Sequence, residues 1–535
     1  DLARAERLYR QCPDPQARLN LAEVLSRQGR HQEALAEVES LPRDTPALLQ
    51  MGQVLLRMGR PAAAPLEEAV RRRESPLALN LLCQAYLAQG DPRRALEAAR
   101  RAVALSAPEA SLMFVSSHGN RGLAAARAGL LEEAELSLEL AVQGMEALRG
   151  GPGDMLLLDR EGYPLFDAAI SAAVQRAHPD TAYRFVEQYL ARTLLRAVSR
   201  LQAPRLAGVS PEALARLRVL EQRARELEDR LQGADPLRPG RPDAVQPVAA
   251  DLQAVRAQRD ALLEGLPRRY LELQNPRPLP LADLQAGLEP DEVALVYFLG
   301  QETSWLFVVR RDLLEHHALP GRAVLEDRAR RLVFAASGGR IRARVLERAQ
   351  VKEPVRQELG RMLFPPEVDW QARLGGRTLV IVPSGALLEI PFEVLPCPYG
   401  QHRFLVEAHP VAYAPSLTLL VQTREWARRR PAAPPRALVM ADPGDIGALP
   451  PLPASRVEAE AIARILGAGR ADVRLGSRAS EAAFWEAPDG YGVLHFAVHG
   501  LLEEGPALAL SPAGGHDGLL TAAEVLGCDL RCDLA

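Results

Sequence analysis

Small and apolar positions recur in register along residues 1–150. Gly29, Gly59, Gly90 and Gly129 are spaced by 30, 31 and 39 residues. Each has an alanine five residues later (Ala34, Ala64, Ala95, Ala134) and a small residue seven earlier (Ala22, Gly52, Cys83, Gly122). Four before the first three glycines stands a larger apolar side chain, Leu25, Leu55 or Tyr86; Ala125 is the weaker fourth. This pattern predicts helical hairpins. The glycine ends one helix and the alanine lies where the next crosses it closely. Asp154 to Leu206 continues helical, with Leu156, Leu157, Tyr163, Phe166, Ile170, Tyr183, Phe185 and Tyr189 as candidate core. Ser210-Pro211-Glu212 then opens a charged helix to Gln232, striped by Leu217, Leu220, Leu227 and Leu231. Gly233 to Pro247 reads as a loop, and Ala249 to Leu263 as a second charged helix. The two form an antiparallel hairpin or the seam of a coiled-coil dimer.

Pro276, Pro278 and Pro280 mark a boundary, and from Val293 the period shifts to that of strands. Val293–Leu299 and Trp305–Val309 predict a hairpin. Thr378–Val382, Ala437–Met440 and Ala507–Leu510 are further short strands. Ser455-x-x-Glu458 predicts a capping box on a helix closed by Gly467, and Thr521-x-x-Glu524 a second box on a short helix ending at Gly527. Val493–Val498 is apolar, with a β-branched residue at each end, and reads as a buried strand of a parallel sheet ending at His499-Gly500. Alternating strands and helices predict a mostly parallel sheet.

Composition narrows the chemistry. The 535 residues suggest two to four domains, 47% hydrophobic and 25% charged, with a net charge of -3. No bulk charge argues for nucleic acid or an anionic membrane. Lys352 is the only lysine and sits in Gln-Val-Lys-Glu, which excludes a P-loop. No stretch reaches the length of a membrane span, and no signal peptide is evident. The chain opens on Asp1 rather than Met, as a fragment would. Cys12, Cys83, Cys397, Cys528 and Cys532 are few and scattered, which fits a reducing cytoplasm.

A histidine at a strand end, followed by a glycine, suits a general base beside an oxyanion donor; the plainer alternative is a histidine that merely ends a strand. No cofactor or metal is expected. Cys528 and Cys532 offer a Cys-x3-Cys spacing, but four ligands do not converge on it. His495 reads as a satisfied core histidine. Ser384 lacks a Gly-x-Ser-x-Gly elbow and reads as a turn residue.

The repeat resembles the tetratricopeptide repeat, a helix–turn–helix solenoid whose concave face binds a peptide or partner protein. The later stretches resemble the CHAT family, caspase-like domains commonly fused to such repeats. The resemblance rests on Val382-Pro383-Ser384-Gly385 through Ile390-Pro391-Phe392-Glu393-Val394-Leu395, and on Tyr413-Ala414-Pro415-Ser416-Leu417. It continues in Ala441-Asp442-Pro443, Leu449-Pro450 and the Glu458-Ala459-Glu460 helix. It ends in Leu494-His495-Phe496-Ala497-Val498-His499-Gly500 and Asp517-Gly518-Leu519-Leu520-Thr521.

That resemblance implies an α-solenoid over 1–150, further helices and a helical-hairpin linker over 151–280, and a caspase-like α/β domain over 281–535. It also implies a cysteine endopeptidase using a Cys-His dyad. The family histidine falls on His499, with the Gly500 N–H as oxyanion donor. The nucleophilic cysteine is expected just beyond Ala535, on the strand that Asp533-Leu534-Ala535 opens, so Cys528 and Cys532 are bystanders. Glu503, Glu504 and Asp517, in loops near the site, either select a basic residue of the substrate or are solvated charges. The expected partners are a protein substrate and a protein or peptide regulator on the concave face, in regulated proteolysis or bacterial defence, within the cytoplasm. Two further readings remain open: a catalytically inactive scaffold, and a repeat adaptor whose α/β part is structural.

Overall fold

The computed structural model describes residues 2–12, 14–107, 111–148, 163–200, 245–264, 278–337, 349–429, 436–444, 449–486, 490–501, 507–521, 524–525 and the single positions 216, 219, 220, 223, 227, 446 and 532. These divide into two compact units, residues 1–189 with 280–414, and 190–279 with 415–535.

The first unit begins with helix α1 (Leu2–Arg10) and four hairpins. These are α2 (Pro15–Arg27) with α3 (His31–Glu39), α4 (Thr45–Arg57) with α5 (Ala63–Arg72), α6 (Pro76–Ala88) with α7 (Pro92–Leu105), and α8 (Leu112–Arg127) with α9 (Leu131–Ala147). Each leading helix ends as the glycine pattern requires. Gly29, Gly59, Gly90 and Gly129 have φ of 81°, 64°, 75° and 76°. The following N–H reaches back to the carbonyl of Leu25, Leu55, Tyr86 or Ala125, at 2.9 Å in every case. A left-handed residue closing that bond satisfies carbonyls the helix would otherwise leave bare. The small residues are equally constrained. A Cβ on Gly122 would stand 2.4 Å from Leu138 Cγ.

Ala64 departs from the pattern, being exposed while Ala62 is 1% exposed in its place. α5 begins four residues after its glycine rather than two. Non-helical chain advances about 3.3 Å per residue against 1.5 Å in a helix, so the inward position arrives sooner.

A fifth hairpin follows, α10 (Tyr163–Gln175) with α11 (Pro179–Arg200). It closes identically: the His178 N–H reaches the Ala173 carbonyl at 2.9 Å, and Ala177 takes φ 58° in the glycine's place. Phe166, Ile170, Tyr183 and Phe185 are buried as expected and Tyr189 is half-buried; Leu156 and Leu157 lie outside the described residues.

This hairpin packs against a five-stranded sheet in the order β3-β2-β1-β4-β5, formed by β1 (Glu292–Phe298), β2 (Thr303–Arg310), β3 (Leu313–Pro320), β4 (Thr378–Val382) and β5 (Val411–Tyr413). β1 runs parallel to β4 and β4 to β5, whereas β1-β2-β3 is an antiparallel meander. One face of β1–β2 meets the repeats: Tyr163 and Tyr189 pack on Phe298, and Tyr183 on Phe307. The other, with Val293, Leu295 and Tyr297, packs with Leu325 and Leu332 of α12 (Arg322–Ser337) and Leu359 and Leu363 of α13 (Ala349–Leu363). Burial on both faces explains why β1 reads as a continuous apolar run. It also explains why residues 163–189 share a compact unit with residues 280–414: the last repeat covers the sheet.

In the second unit, Leu227 packs with Leu252 and Val255, so the two charged helices meet within one chain, as a hairpin would. Ser210 to Glu212, Leu217 and Leu231 lie outside the described residues.

Ala177→Gly relieves a left-handed conformation that costs a side-chain-bearing residue about 1–2 kcal/mol, and should stabilise the solenoid by about 1 kcal/mol. Gly122→Ala should destabilise it by about 1–3 kcal/mol through overpacking on Leu138. Thermal unfolding followed by far-ultraviolet circular dichroism reads both, and equal midpoints would sink this account of the repeat.

Candidate functional site

The second unit holds a parallel sheet in the order β7-β6-β8, made of β6 (Ala437–Ala441), β7 (Ala471–Leu475) and β8 (Val493–Ala497). Parallel strands place their carboxyl ends at one rim, where open α/β sheets carry their reactive groups. Asp442, Gly476 and His499 follow the three strands there. Along β8, Val493 and Ala497 face α14 (Pro453–Leu466) with Ala459 and Ile462; Leu494 and Phe496 face the opposite cluster with Phe484 and Leu510. β8 is less buried than its sequence suggests. Only Leu494 is buried, and among the described residues β8 pairs with β6 alone.

The chain does not stop at His499. It leaves β6 and re-pairs as β9 (His499–Leu501), the edge of an antiparallel three-stranded sheet with β10 (Ala507–Ala509) and β11 (Leu519–Thr521). Parallel pairs therefore build the two open sheets, and antiparallel pairs build the meander and this appendage. His499 is half-buried at the change of partner. Its Nε2 lies 2.7 Å from the carbonyl oxygen of Pro450. A carbonyl only accepts, so Nε2 carries the proton and Nδ1 of the neutral ring keeps the lone pair.

The segment that carries Pro450 is held at Leu452. The Ser455 hydroxyl donates to the Leu452 carbonyl at 2.7 Å and accepts the Asp442 N–H at 3.0 Å. Ser455 is thus engaged with the strand end, and α14 starts two residues earlier, at Pro453, rather than at a Ser455–Glu458 capping box. Proline in the first turn has no N–H to leave unsatisfied, which favours that earlier start. Gly467, at φ 87°, closes the helix as expected. Asp442, 8% exposed, adopts φ 41°, a strained value for a residue with a side chain, and its carboxylate accepts from Arg456 at 3.0 Å. Such strain gathers where a fold over-determines a site.

Gly500 is exposed, and a Cβ built there meets nothing within 4 Å. The fold itself therefore does not demand glycine here, and the space before its backbone is open. Asp517 is exposed, and its Oδ1 accepts the Leu519 N–H at 2.8 Å, which closes a turn. The next residue, Gly518, has φ 87° and lies where a Cβ would meet the Leu510 carbonyl oxygen at 2.6 Å. Beneath this turn Glu481, at the start of α15 (Glu481–Trp485) and with its side chain 1% exposed, accepts from Gly518 N–H at 3.0 Å and Trp485 Nε1 at 3.1 Å, and pairs with His516 Nδ1 at 3.1 Å. The Asp-Gly-x-Leu-Thr stretch is thus a braced turn. Thr521 and Glu524 bond reciprocally, forming the predicted second capping box.

His495 is not a core histidine. It is half-exposed and pairs with Glu458 of α14 at 2.9 Å, since it points to the α14 side of an incompletely covered strand. Cys532 packs against the cluster holding Leu438, Met440 and Phe484, the face opposite α14. In the first unit Ser384 is buried beyond β4, and its hydroxyl accepts the Leu299 N–H at 3.3 Å. Glu503, Glu504 and Cys528 lie outside the described residues. The Pro450 carbonyl and Glu481 were not anticipated, and Ser455 was expected only as a helix cap. Glu481 had a faint signal, an acid inside an apolar stretch; a backbone carbonyl has none.

The architecture is that of an α-solenoid of tetratricopeptide-like hairpins followed by a caspase-like α/β region with mixed sheets. Residues 343–535 match the family model described as CHAT domain. Among solved structures the chain is similar to the APC/C hetero-tetramer Cut9-Hcn1, with 17% identity, 36% of this chain and 36% of that chain covered, and a TM-score of 0.30. It is also similar to a thermophilic TPR protein of Thermus thermophilus, TTC0263, with 23% identity, 33% and 90% covered, and a TM-score of 0.26. A third is YrrB, a TPR protein with an unusual peptide-binding site, with 20% identity, 33% and 85% covered, and a TM-score of 0.25. The chain therefore spans about a third of the first of these. No curated protein matches it.

Ser455→Ala leaves the Asp442 N–H without its acceptor in a buried position and frees the segment carrying Pro450. It should lower stability by about 1–3 kcal/mol. An unchanged unfolding midpoint would show that this hydroxyl does not hold the rim.

Proposed function

We propose that the CHAT domain is a caspase-like cysteine endopeptidase with His499 as the general base. The observation that carries the reading is the bond from His499 Nε2 to Pro450, which leaves Nδ1 as the proton acceptor beside an open glycine backbone. In this reading the nucleophile is a cysteine expected just beyond Ala535. A thiol is only a few per cent ionised at neutral pH, so a base on the adjacent strand end matters.

His499 takes the thiol proton, and sulfur attacks the scissile carbonyl carbon. The Gly500 N–H and the N–H of the cysteine stabilise the oxyanion. The imidazolium then protonates the leaving amine as the C–N bond breaks. Water, losing a proton to His499, hydrolyses the thioester and restores the thiol. Each oxyanion donor contributes about 3–4 kcal/mol to the transition state.

Asp517 is committed to its own turn, so substrate charge selection, if borne by the three loop acids, falls to Glu503 and Glu504. The solenoid receives the protein or peptide that governs cleavage, in regulated proteolysis such as bacterial defence. No described helix is long and apolar enough to cross a membrane, and the sparse cysteines suit the cytoplasm.

His499→Ala, made in a chain extended beyond Ala535, should lower cleavage of a bound partner protein about 10²–10⁴-fold with no loss of folded protein. Cleavage that survives this change sinks the mechanism. An extension that brings no cysteine within about ten residues of Ala535 leaves a binding scaffold instead.

A further inference from the structure

Where the repeats meet the sheet in the first unit there is a cleft of about 420 Å³. Its floor is formed by small side chains of two leading helices, Ala126 on α8 and Ala168 on α10. Its far wall is the turn between β1 and β2, with Trp305 beyond it.

Two polar groups of the lining are under-served, Asp167 of α10 and Trp305 of β2. The Asp167 carboxylate accepts the Gln301 N–H at 3.0 Å, its one hydrogen bond among the described residues. Burial pushes its pKa up, against the opposing pull of that N–H and of Arg322. Trp305 is 8% exposed, and among the described residues its indole N–H has no acceptor. A partly desolvated carboxylate with a single donor costs free energy until a ligand supplies a further one. The neighbouring cations are otherwise occupied. Arg322 stacks on the Tyr163 ring at 4.0 Å, and Arg127 pairs with Glu302 at 3.2 Å at the exposed mouth.

We propose that this cleft receives one basic side chain, arginine or lysine, from the partner segment that docks on the solenoid. The cation meets the Asp167 carboxylate. The aliphatic stem lies over Ala126 and Ala168, as long cationic side chains lie on apolar surface. This rests on the proposed role of the solenoid as a receiver of partners and names the chemistry it reads.

The probes are the peptides acetyl-Ala-Arg-Ala-amide and acetyl-Ala-citrulline-Ala-amide, which differ in charge at nearly equal shape. Titrated calorimetrically into the full chain, the arginine peptide should bind about tenfold more tightly, a difference of about 1.4 kcal/mol. Asp167→Asn keeps an oxygen for Gln301 and should erase the preference. Ala168→Leu, which fills the cleft without touching a charge, should abolish binding of both while the chain still melts cooperatively. Equal binding of the two peptides by the native chain overturns the proposal. So does a preference that survives Asp167→Asn or Ala168→Leu. No cleavage enters these measurements, so an inactive peptidase that still discriminates would sink the enzymatic reading and leave the cleft standing.

Discussion

The hydrogen bond from His499 to the Pro450 carbonyl depends on most of what surrounds it. Three parallel strands bring Asp442, Gly476 and His499 to one rim. The Asp442 backbone then fastens Ser455, Ser455 fastens Leu452, and the short segment before α14 is left with one of its carbonyls facing the imidazole. None of these links is strong. A neutral hydrogen bond contributes about 0.5–1.5 kcal/mol net. Their effect is directional: they decide which nitrogen holds the proton. A tautomer imposed by a backbone carbonyl needs no titrating neighbour, because the carbonyl is an acceptor at every pH.

The solenoid was largely legible because its turns impose a backbone condition that few residues meet. A left-handed residue after each leading helix selects glycine, and four glycines at similar spacing carried that signal. Where the chain tolerates alanine instead, at Ala177, the signal vanishes and so does the fifth hairpin, although its hydrogen bonds match the others. Ala64 failed for a different reason. The approach to α5 is non-helical, and the register that sequence spacing assumes holds only while the rise per residue is constant. Strands β1, β2, β4 and β6 were readable as apolar runs. β3 was not, since Leu313–Pro320 carries two histidines and a glutamate at half-buried positions on the sheet's edge.

At the site, legibility followed the kind of group involved. His499 and Gly500 announce themselves by residue type at a strand end. Pro450 acts through a carbonyl that every residue possesses, so no letter of the sequence marks it. His495 shows the converse error. An apolar run suggested enclosure, but β8 is covered on the α14 side only in part, and a half-exposed imidazole there finds Glu458. Asp517 has a local use that its residue type did not announce: next to a glycine with positive φ, its Oδ1 closes the turn. Local hydrogen bonding of Asp to nearby backbone competes with every longer-range use of that side chain.

Gly300 illustrates how two demands can meet on one residue. A Cβ there would lie 2.0 Å from the Thr303 carbonyl oxygen and 2.6 Å from Asp167 Oδ1. The tightness of the turn requires the first clearance, and the approach of α10 requires the second. The same helix donates the Tyr163 hydroxyl to the Leu299 carbonyl at 2.8 Å. The end of β1 is therefore held by the last repeat on one side and, through the Leu299 N–H, by Ser384 beyond β4 on the other. The consequence is mechanical. Repeat and sheet share polar backbone contacts as well as apolar area, and backbone bonds fix position to within a few tenths of an ångström, whereas apolar packing alone tolerates sliding. In this unit the last hairpin of the solenoid is part of the sheet's own fold rather than a neighbour leaning on it.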